Sequence, residues 1–482
     1  MSKQKYQEGT SGPDLARFLK YGVYLVVFVP LVIFSEFISP FHFGKVLVFR
    51  SLVEVLAVIY AVLLVKHGRS YLPSLTPLFW SVTAFTAVFG LTTLTSVNIY
   101  QSLWGTLERM GGWFSFFHFW MFFVIASAVL RKREDWSTFI KISLAVSLLS
   151  AFYGFLQKTD LQWVIGSGGR AKIFGTIGNP ALFAGYMIVN AFLALTLYFR
   201  PANSRNERFF YGAVFLIDAF AVLLTGVRGS VLGVVVGLVL FGFLYSADFA
   251  STKIKRYTLY FVVLVVAAAG SLYSLRNADF VRENQYLARY ADISPKAYTV
   301  QTRAWAWQAG FDGWDDSLKT MVLGWGPEMF NIPFSKHFNP SFFRGLGSET
   351  LFDRAHNQFL EVLFTMGLIG FAAYVLIFFQ AFGILKKMND TAENKVFKTG
   401  LVSTLVAYAI HNFFIFDTSA NYLMFFLVIG LVNFLSIKSF RPETVPALRI
   451  TRPLAASITG LLLAVAVIFP IYKFEFVPAK AN

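Results

Sequence analysis

Runs of about 20 mostly apolar residues recur from one end of this chain to the other, and nothing else restricts its fold so strongly. As a helix, a run of that length reaches across the roughly 30 Å hydrocarbon core of a bilayer. Inside that core every backbone N–H and C=O must find its partner within the structure, which leaves helices or a closed barrel. The runs are continuous rather than alternating, so the expected fold class is all-α: a polytopic transmembrane helical protein of about 12–13 spans. Only 14% of the 482 residues are charged, against 56% hydrophobic, too few charges for a soluble surface of this size.

The runs place spans at about 21–38, 46–65, 76–96, 113–130, 137–156, 181–199, 209–225, 231–246, 258–274, 356–380, 399–415 and 421–437, with a last one near 454–472. The first run is too long for a signal-peptide core and lacks a small-x-small cleavage site, so it is expected to remain as span 1. A polar tail (1–20) precedes it, and a basic linker with Lys438, Arg441, Arg449 and Arg452 (438–452) separates span 12 from the last span and tail (453–482). Alternating the spans puts the short basic connections, among them Arg131 to Arg133 and Lys386 to Lys387, on one side. That side is then cytoplasmic. With thirteen spans the C-terminus lies outside; with twelve it lies inside. One long loop, 275–354, falls outside; its nine Lys/Arg balance its nine Asp/Glu, as suits a small folded unit.

Much of the chain's excess of basic charge (formal net +16) sits in those short loops, facing anionic lipid, so no nucleic-acid partner is expected. There is no cysteine, hence no disulfide framework, thiolate nucleophile or cysteine-ligated metal. The six histidines contain no HxxxH pair, and no P-loop, HExxH or Asp-x-Asp is present. Asp315-Asp316 comes nearest to a carboxylate pair, and it reads as a solvated loop corner. Neither a metal nor a cofactor is expected.

The informative charges are those near or within the spans. Arg50 and Glu54 lie one helical turn apart in span 2 and read as a structural ion pair. Asp218 sits within span 7, where a basic residue on another helix would suit it as a partner. Arg228 lies between Gly226 and Gly229 at a sharp turn; taken alone it reads as a snorkelling anchor at a helix end. His356 opens the helix Ala355-His-Asn-Gln-Phe-Leu-Glu and reads as an interfacial cap or as a functional group. Yet His356, Arg170, Arg228 and Arg303 all map to one side of the membrane. Converging guanidiniums suit a phosphate-bearing head group, and a neutral imidazole beside them suits a proton acceptor. Trp305, Trp307, Trp314 and Trp325 fit sugar stacking or, for most of them, the interfacial aromatic belt.

With these residues the chain resembles the O-antigen ligase and polymerase family. The matching pieces are Ser102-Leu-Trp-Gly-Thr-Leu-Glu-Arg109, Arg170 through Gly-Asn179-Pro180, Thr-Gly-Val-Arg-Gly-Ser230, Thr302-Arg303 with Trp305, Gly324-Trp-Gly326, and the helix from His356-Asn357 to Gly-Leu-Ile-Gly370. Together they cover about residues 95–440. The resemblance implies a GT-C-like membrane glycosyltransferase that takes a glycan from a polyprenyl-diphosphate carrier outside the bacterial cytoplasmic membrane, without nucleotide sugar or metal. Carried over position by position, His356 is the general base and Arg228, Arg303 and Arg170 bind the diphosphate. Arg109, Glu361, Asn357 and Asn179 are supporting residues. The implied partners are the lipid-linked glycan donor, membrane lipids, and an acceptor that is a lipid such as lipid A core, another glycan, or a protein.

Two features depart from the family pattern. Val227 stands where a small polar residue usually precedes the arginine, and the last span lies beyond the twelve-helix core. Relatives with such a span often continue into an outward tetratricopeptide-type domain, so the resemblance implies a shortened version. Two readings outside the transferase class stay open: a flippase for lipid-linked oligosaccharide, which the lack of an internal repeat and the long asymmetric loop disfavour, and a scaffold for envelope assembly.

Overall fold

The computed structural model describes residues 12–168, 172–291, 297–344, 350–437, 465 and 468–481. The regular structure among the described residues is all helical, with no strand. In order come α1 (Gly12–Val26), α2 (Phe43–His67), α3 (Pro77–Leu94), α4 (Ile99–Trp104), α5 (Trp113–Val129) and α6 (Arg133–Leu156). Next are α7 (Pro180–Tyr198), α8 (Arg205–Leu224), α9 (Arg228–Asp248) and α10 (Thr252–Ser274). The loop holds α11 (Asp279–Glu283), α12 (Gln285–Ala291), α13 (Tyr298–Trp314), α14 (Leu318–Leu323) and α15 (Asn331–Lys336), and α16 (Gln358–Lys386), α17 (Ala392–Asn412) and α18 (Ser419–Leu435) complete the bundle.

Seven of these helices (α2, α3, α6, α7, α9, α10 and α16) are long and apolar enough to cross a membrane, and α5 and α18 are shorter apolar helices. The protein is a polytopic helical membrane protein. The expected span 1 is corrected: its helix starts earlier, at Gly12, and ends at Val26, ahead of a 3₁₀ turn over Val29–Leu31. Pro30 explains the stop, since its ring and missing N–H cannot continue an α-helix. The expected last span and the basic linker fall almost entirely outside the described residues.

Helix α7 is the centre of the bundle, with 83% of its apolar window buried, whereas α10 is a peripheral helix with 6% buried. Lipid tails are as apolar as leucine, so helices in a bilayer associate through close fit and polar contacts. Both are visible. At Gly233 a Cβ would come within 2.7 Å of the Ala407 carbonyl oxygen, which is how closely α9 and α17 approach. Elsewhere the abundant phenylalanine fills the seams, as where Phe49 stacks on Phe119 at 4.2 Å and Phe116 meets Phe85, Tyr422 and Phe426 edge-on.

Buried polar groups pair differently from expectation. Arg50 bonds Glu475 and the Phe474 carbonyl of the C-terminal segment, and Glu54 takes His118 at 3.1 Å. Arg50 and Glu54 are thus neighbours with separate partners: a buried guanidinium reaches the oxygens with the best geometry, not the nearest in sequence. Asp218 is likewise met by a neutral group: Ser147 of α6 donates to it at 2.9 Å.

The long loop packs around an apolar cluster of its own: Ala306, Ala309, Phe330, Phe334, Phe342 and Phe352, joined by Ala355 and by Phe364 of α16. Trp305, Trp307 and Trp314 pack against that cluster. Trp307 donates to the Ala355 carbonyl at 2.7 Å, Trp314 to that of Met321 and Trp325 to that of Gly313, while Trp305 packs edge-on against Phe342. Indole N–H groups inside a folded unit take the carbonyls at hand.

Candidate active site

The site is built where Gly324-Trp-Gly326 crosses a break in α16. Gly367 has φ 65° and ψ −168°, so the helix is interrupted there, and Trp325 and Gly326 donate their N–H groups to the carbonyls of Phe364 and Thr365. A Cβ at Gly324 would lie 2.2 Å from the Thr365 carbonyl carbon; only glycine lets the two backbones meet. The crossing aims the next residues, Pro327 and Glu328, at the start of α16. Asn357 caps that start, accepting from the N–H groups of Phe359 and Leu360.

His356 sits just before the cap with φ 51°, in the left-handed region that a non-glycine residue rarely occupies. Its Nδ1 lies 3.1 Å from the Arg354 carbonyl oxygen. A carbonyl only accepts, so Nδ1 carries the hydrogen and Nε2 keeps the basic lone pair. Phe352 and Phe416 hold the ring edge-on from two sides, at 5.2 and 5.4 Å. Burial first, and the charge of Arg303 next, pull its pKa down from 6.5 to about 4, so the imidazole is neutral at ordinary pH.

Around His356 stand several cations. Arg303 (α13) and Arg109 both act on it electrostatically. Arg109 pairs with Asp353 and lies over the Phe416 ring at 4.9 Å, and Arg354 lies over the same ring at 5.5 Å. Arg354 lies largely covered between two carboxylates, bonding Glu328 and, at 3.2 Å, Glu361. Burial alone would loosen its proton, but Glu328, Glu361 and Asp353 outweigh that and raise its pKa above the ordinary arginine value.

Arg228 opens α9 at the Gly226 turn, next to a second group of cations. Arg289 of α12 donates to the Gly226 carbonyl, and Lys172 lies beside it: burial, then the charges of Arg289 and Arg228, lower the lysine's pKa. The turn reaches the His356 region through α17. Ser230 bonds His411 at 2.9 Å, Gly229 is pressed against Phe414, and two residues further Phe416 touches His356.

Residues 213–375 match the family model described as O-antigen ligase. Over that stretch the chain is similar to an O-antigen ligase domain. Arg228, Arg303 and His356 all lie within the matched domain, as do Arg354, Glu328, Glu361 and Arg289, whereas Arg109, Lys172 and Asn179 lie N-terminal to it. The chain is also similar to a protein of Haemophilus influenzae described as uncharacterized, 25% identical over 303 residues, or 57% of this chain and 72% of that one.

Of the expected site residues, the structure brings His356, Arg303, Arg109 and Glu361 together, whereas Arg228 stands with Lys172 and Arg289 at the Gly226 turn. Arg170 lies outside the described residues. Asn357 and Asn179 both have their side-chain oxygens engaged as helix caps. Asp316 of the Asp315-Asp316 corner bonds Lys336 at 2.9 Å and His337 at 3.2 Å. Among the described residues no group of three or more His, Asp or Glu is arranged to hold a metal ion. Sequence reading missed Arg354, Glu328, Lys172 and Arg289. Arg354 had a signal, two residues before His356; Glu328 becomes a neighbour only through the glycine crossing.

Proposed function

We propose that this protein transfers a glycan from a polyprenyl-diphosphate carrier to an acceptor hydroxyl, at the His356 end of the bundle, facing away from the cytoplasm across the bacterial cytoplasmic membrane. The observation that carries this reading is the His356 ring itself. Its Nδ1–H is committed to the Arg354 carbonyl and its Nε2 is left basic, inside the stretch similar to an O-antigen ligase domain and under the charge of Arg303 and Arg109.

In this reading the acceptor hydroxyl gives its proton to Nε2 as its oxygen attacks the anomeric carbon. The bond from that carbon to the diphosphate oxygen breaks, and the diphosphate leaves with the electron pair. Attack opposite the leaving group inverts the anomeric configuration. Arg303 and Arg228, with Arg170, stabilise the charge that builds on the leaving oxygen, a task suited to the guanidinium fork and independent of a metal. Arg109 keeps its aromatic and carboxylate partners and shapes the wall. Acceptor choice, whether a lipid core, another growing glycan or a protein hydroxyl, belongs to the surface around the 275–354 loop.

The test is transfer from a polyprenyl-diphosphate glycan in liposomes with EDTA present, comparing wild type with His356→Ala and titrating donor binding to both. The expected result is transfer by the wild type, binding by both, and at least a hundredfold slower transfer by the variant, within the usual range for a general base. Equal transfer by the two proteins removes His356 from the chemistry. Donor translocation without transfer, over a panel of lipid, glycan and protein acceptors, replaces the reading with a flippase.

A further inference from the structure

Two residues at this site, His356 (φ 51°) and Glu328 (φ 68°), have left-handed backbones without being glycine. Such conformations are strained and persist only where the surroundings over-determine them. Arg354 links the two.

The tripeptide 354–356 is tied at several of its polar groups. The Arg354 guanidinium bonds Glu328 and Glu361. The Ala355 N–H donates to Glu361 Oε2 at 2.7 Å, and the Ala355 carbonyl accepts from Trp307 at 2.7 Å. The Arg354 carbonyl accepts from His356 Nδ1. Glu361 is therefore used twice, once on the backbone just before His356 and once on the side chain of the residue whose carbonyl fixes the ring. Glu328 is anchored independently: its carbonyl accepts from Gln101 at 3.2 Å, and that of Pro327 accepts from Ser102 at 2.6 Å. Beneath the clamp lies a cavity of about 40 Å³ whose lining includes Arg354, Glu328, Glu361, Asp417 and Tyr422. That is room for two or three waters, not for a sugar.

We infer that Glu361, with Glu328 as its counterpart, is a positioning residue: through Arg354 and the Ala355 N–H it fixes the His356 backbone and keeps Nε2 aimed at the reacting hydroxyl. This rests on His356 being the base. Neither carboxylate touches substrate, and neither replaces the imidazole as proton acceptor.

Glu361→Gln and Glu361→Ala test it. Glutamine keeps an oxygen for the Ala355 N–H and drops the ion pair; alanine drops both. Rates are taken per donor-binding site, so a misfolded fraction is discounted. The expected result is unchanged donor KM in both, with kcat down about tenfold in Glu361→Gln and about a hundredfold in Glu361→Ala, the scale of a 1 Å misplacement. The pH profile adds a readout that a smaller folded population would not move. Among the described residues Arg303, Asp353 and Arg109 are the charges that act on the imidazole, and burial is the largest cause of its low pKa. Loosening the clamp admits water, so the acid limb of kcat/KM moves up from about 4 toward the ordinary 6.5. Full kcat in Glu361→Ala, an unmoved acid limb in both variants, or a raised KM at constant kcat overturns the proposal. If His356→Ala itself transfers at the wild-type rate, the reading of His356 as base falls first; if that variant is dead while Glu361→Ala is fully active, only the clamp falls.

Discussion

Replacing Arg354 by methionine isolates the electrostatics of the clamp. Methionine approximates the length of the arginine stem, so the packing against Phe416 is largely kept while the charge is removed. The guanidinium now stands 3.2 Å from Glu361 and against Glu328, two carboxylates each only 4% exposed. At that separation one such pair attracts by roughly 5 kcal/mol for an effective dielectric near 20, most of which offsets the desolvation of the charges. Removing the cation leaves both carboxylates buried without a counter-charge, so that one of them takes up a proton, for a loss of about 3–5 kcal/mol in stability. The assay is reversible unfolding in mixed micelles, comparing Arg354→Met with the triple variant Arg354→Met, Glu328→Gln, Glu361→Gln. The triple variant has no buried charge at this position and is expected to regain most of the loss. A loss below about 1 kcal/mol for Arg354→Met would show that the carboxylates are hydrated, not clamped; a triple variant as unstable as the single one would show that arginine acts by shape and not by charge.

Three further outcomes follow from the geometry. Because neutral His356 is the acting form and its pKa lies near 4, kcat/KM should stay level as pH falls through 6 and 5 and drop only near pH 4; an acid limb at 6.5 would contradict the buried setting of the ring. Arg228→Ala and Arg303→Ala should each weaken donor binding by about 10- to 100-fold, the worth of one charge-assisted contact, with lysine restoring it only in part; unchanged titrations of the lipid donor would remove these arginines from the diphosphate site. Gly367→Ala adds a Cβ 2.3 Å from the Val322 carbonyl carbon at a residue with φ 65°, and should destabilise by more than about 2 kcal/mol and expose the loop to protease; full protease resistance would refute the tight crossing.

Much of this site was legible before any coordinates. His356 and Arg303 stand out by residue type and side of the membrane, Arg109 only through the family resemblance, and the fold brings both arginines within electrostatic reach of the imidazole. Arg228 was found from its glycine bracket, but its company, Lys172 and Arg289, comes from two distant loops and carries no local mark. The partners of the buried charges were misread for a related reason. Helical spacing gave Arg50 a neighbour in Glu54, while the fold brought Glu475 to it from the far end of the chain. Spacing governs which side chains share a helix face; it says nothing about which other helix lies against that face.

The sequence by itself determined that this chain is a bundle of membrane helices, because long apolar runs have only one inexpensive way to satisfy their backbone in lipid. It also determined where basic turns and a folded loop interrupt them. Tertiary structure decided the working state of His356. Its tautomer is set by the Arg354 carbonyl, its low pKa by burial and by Arg303, and its backbone by carboxylates 28 residues before it and 5 after it. Those depend on distances between segments that meet only when Gly324 and Gly367 let two backbones cross, and no pattern along one strand of sequence encodes a distance of that kind.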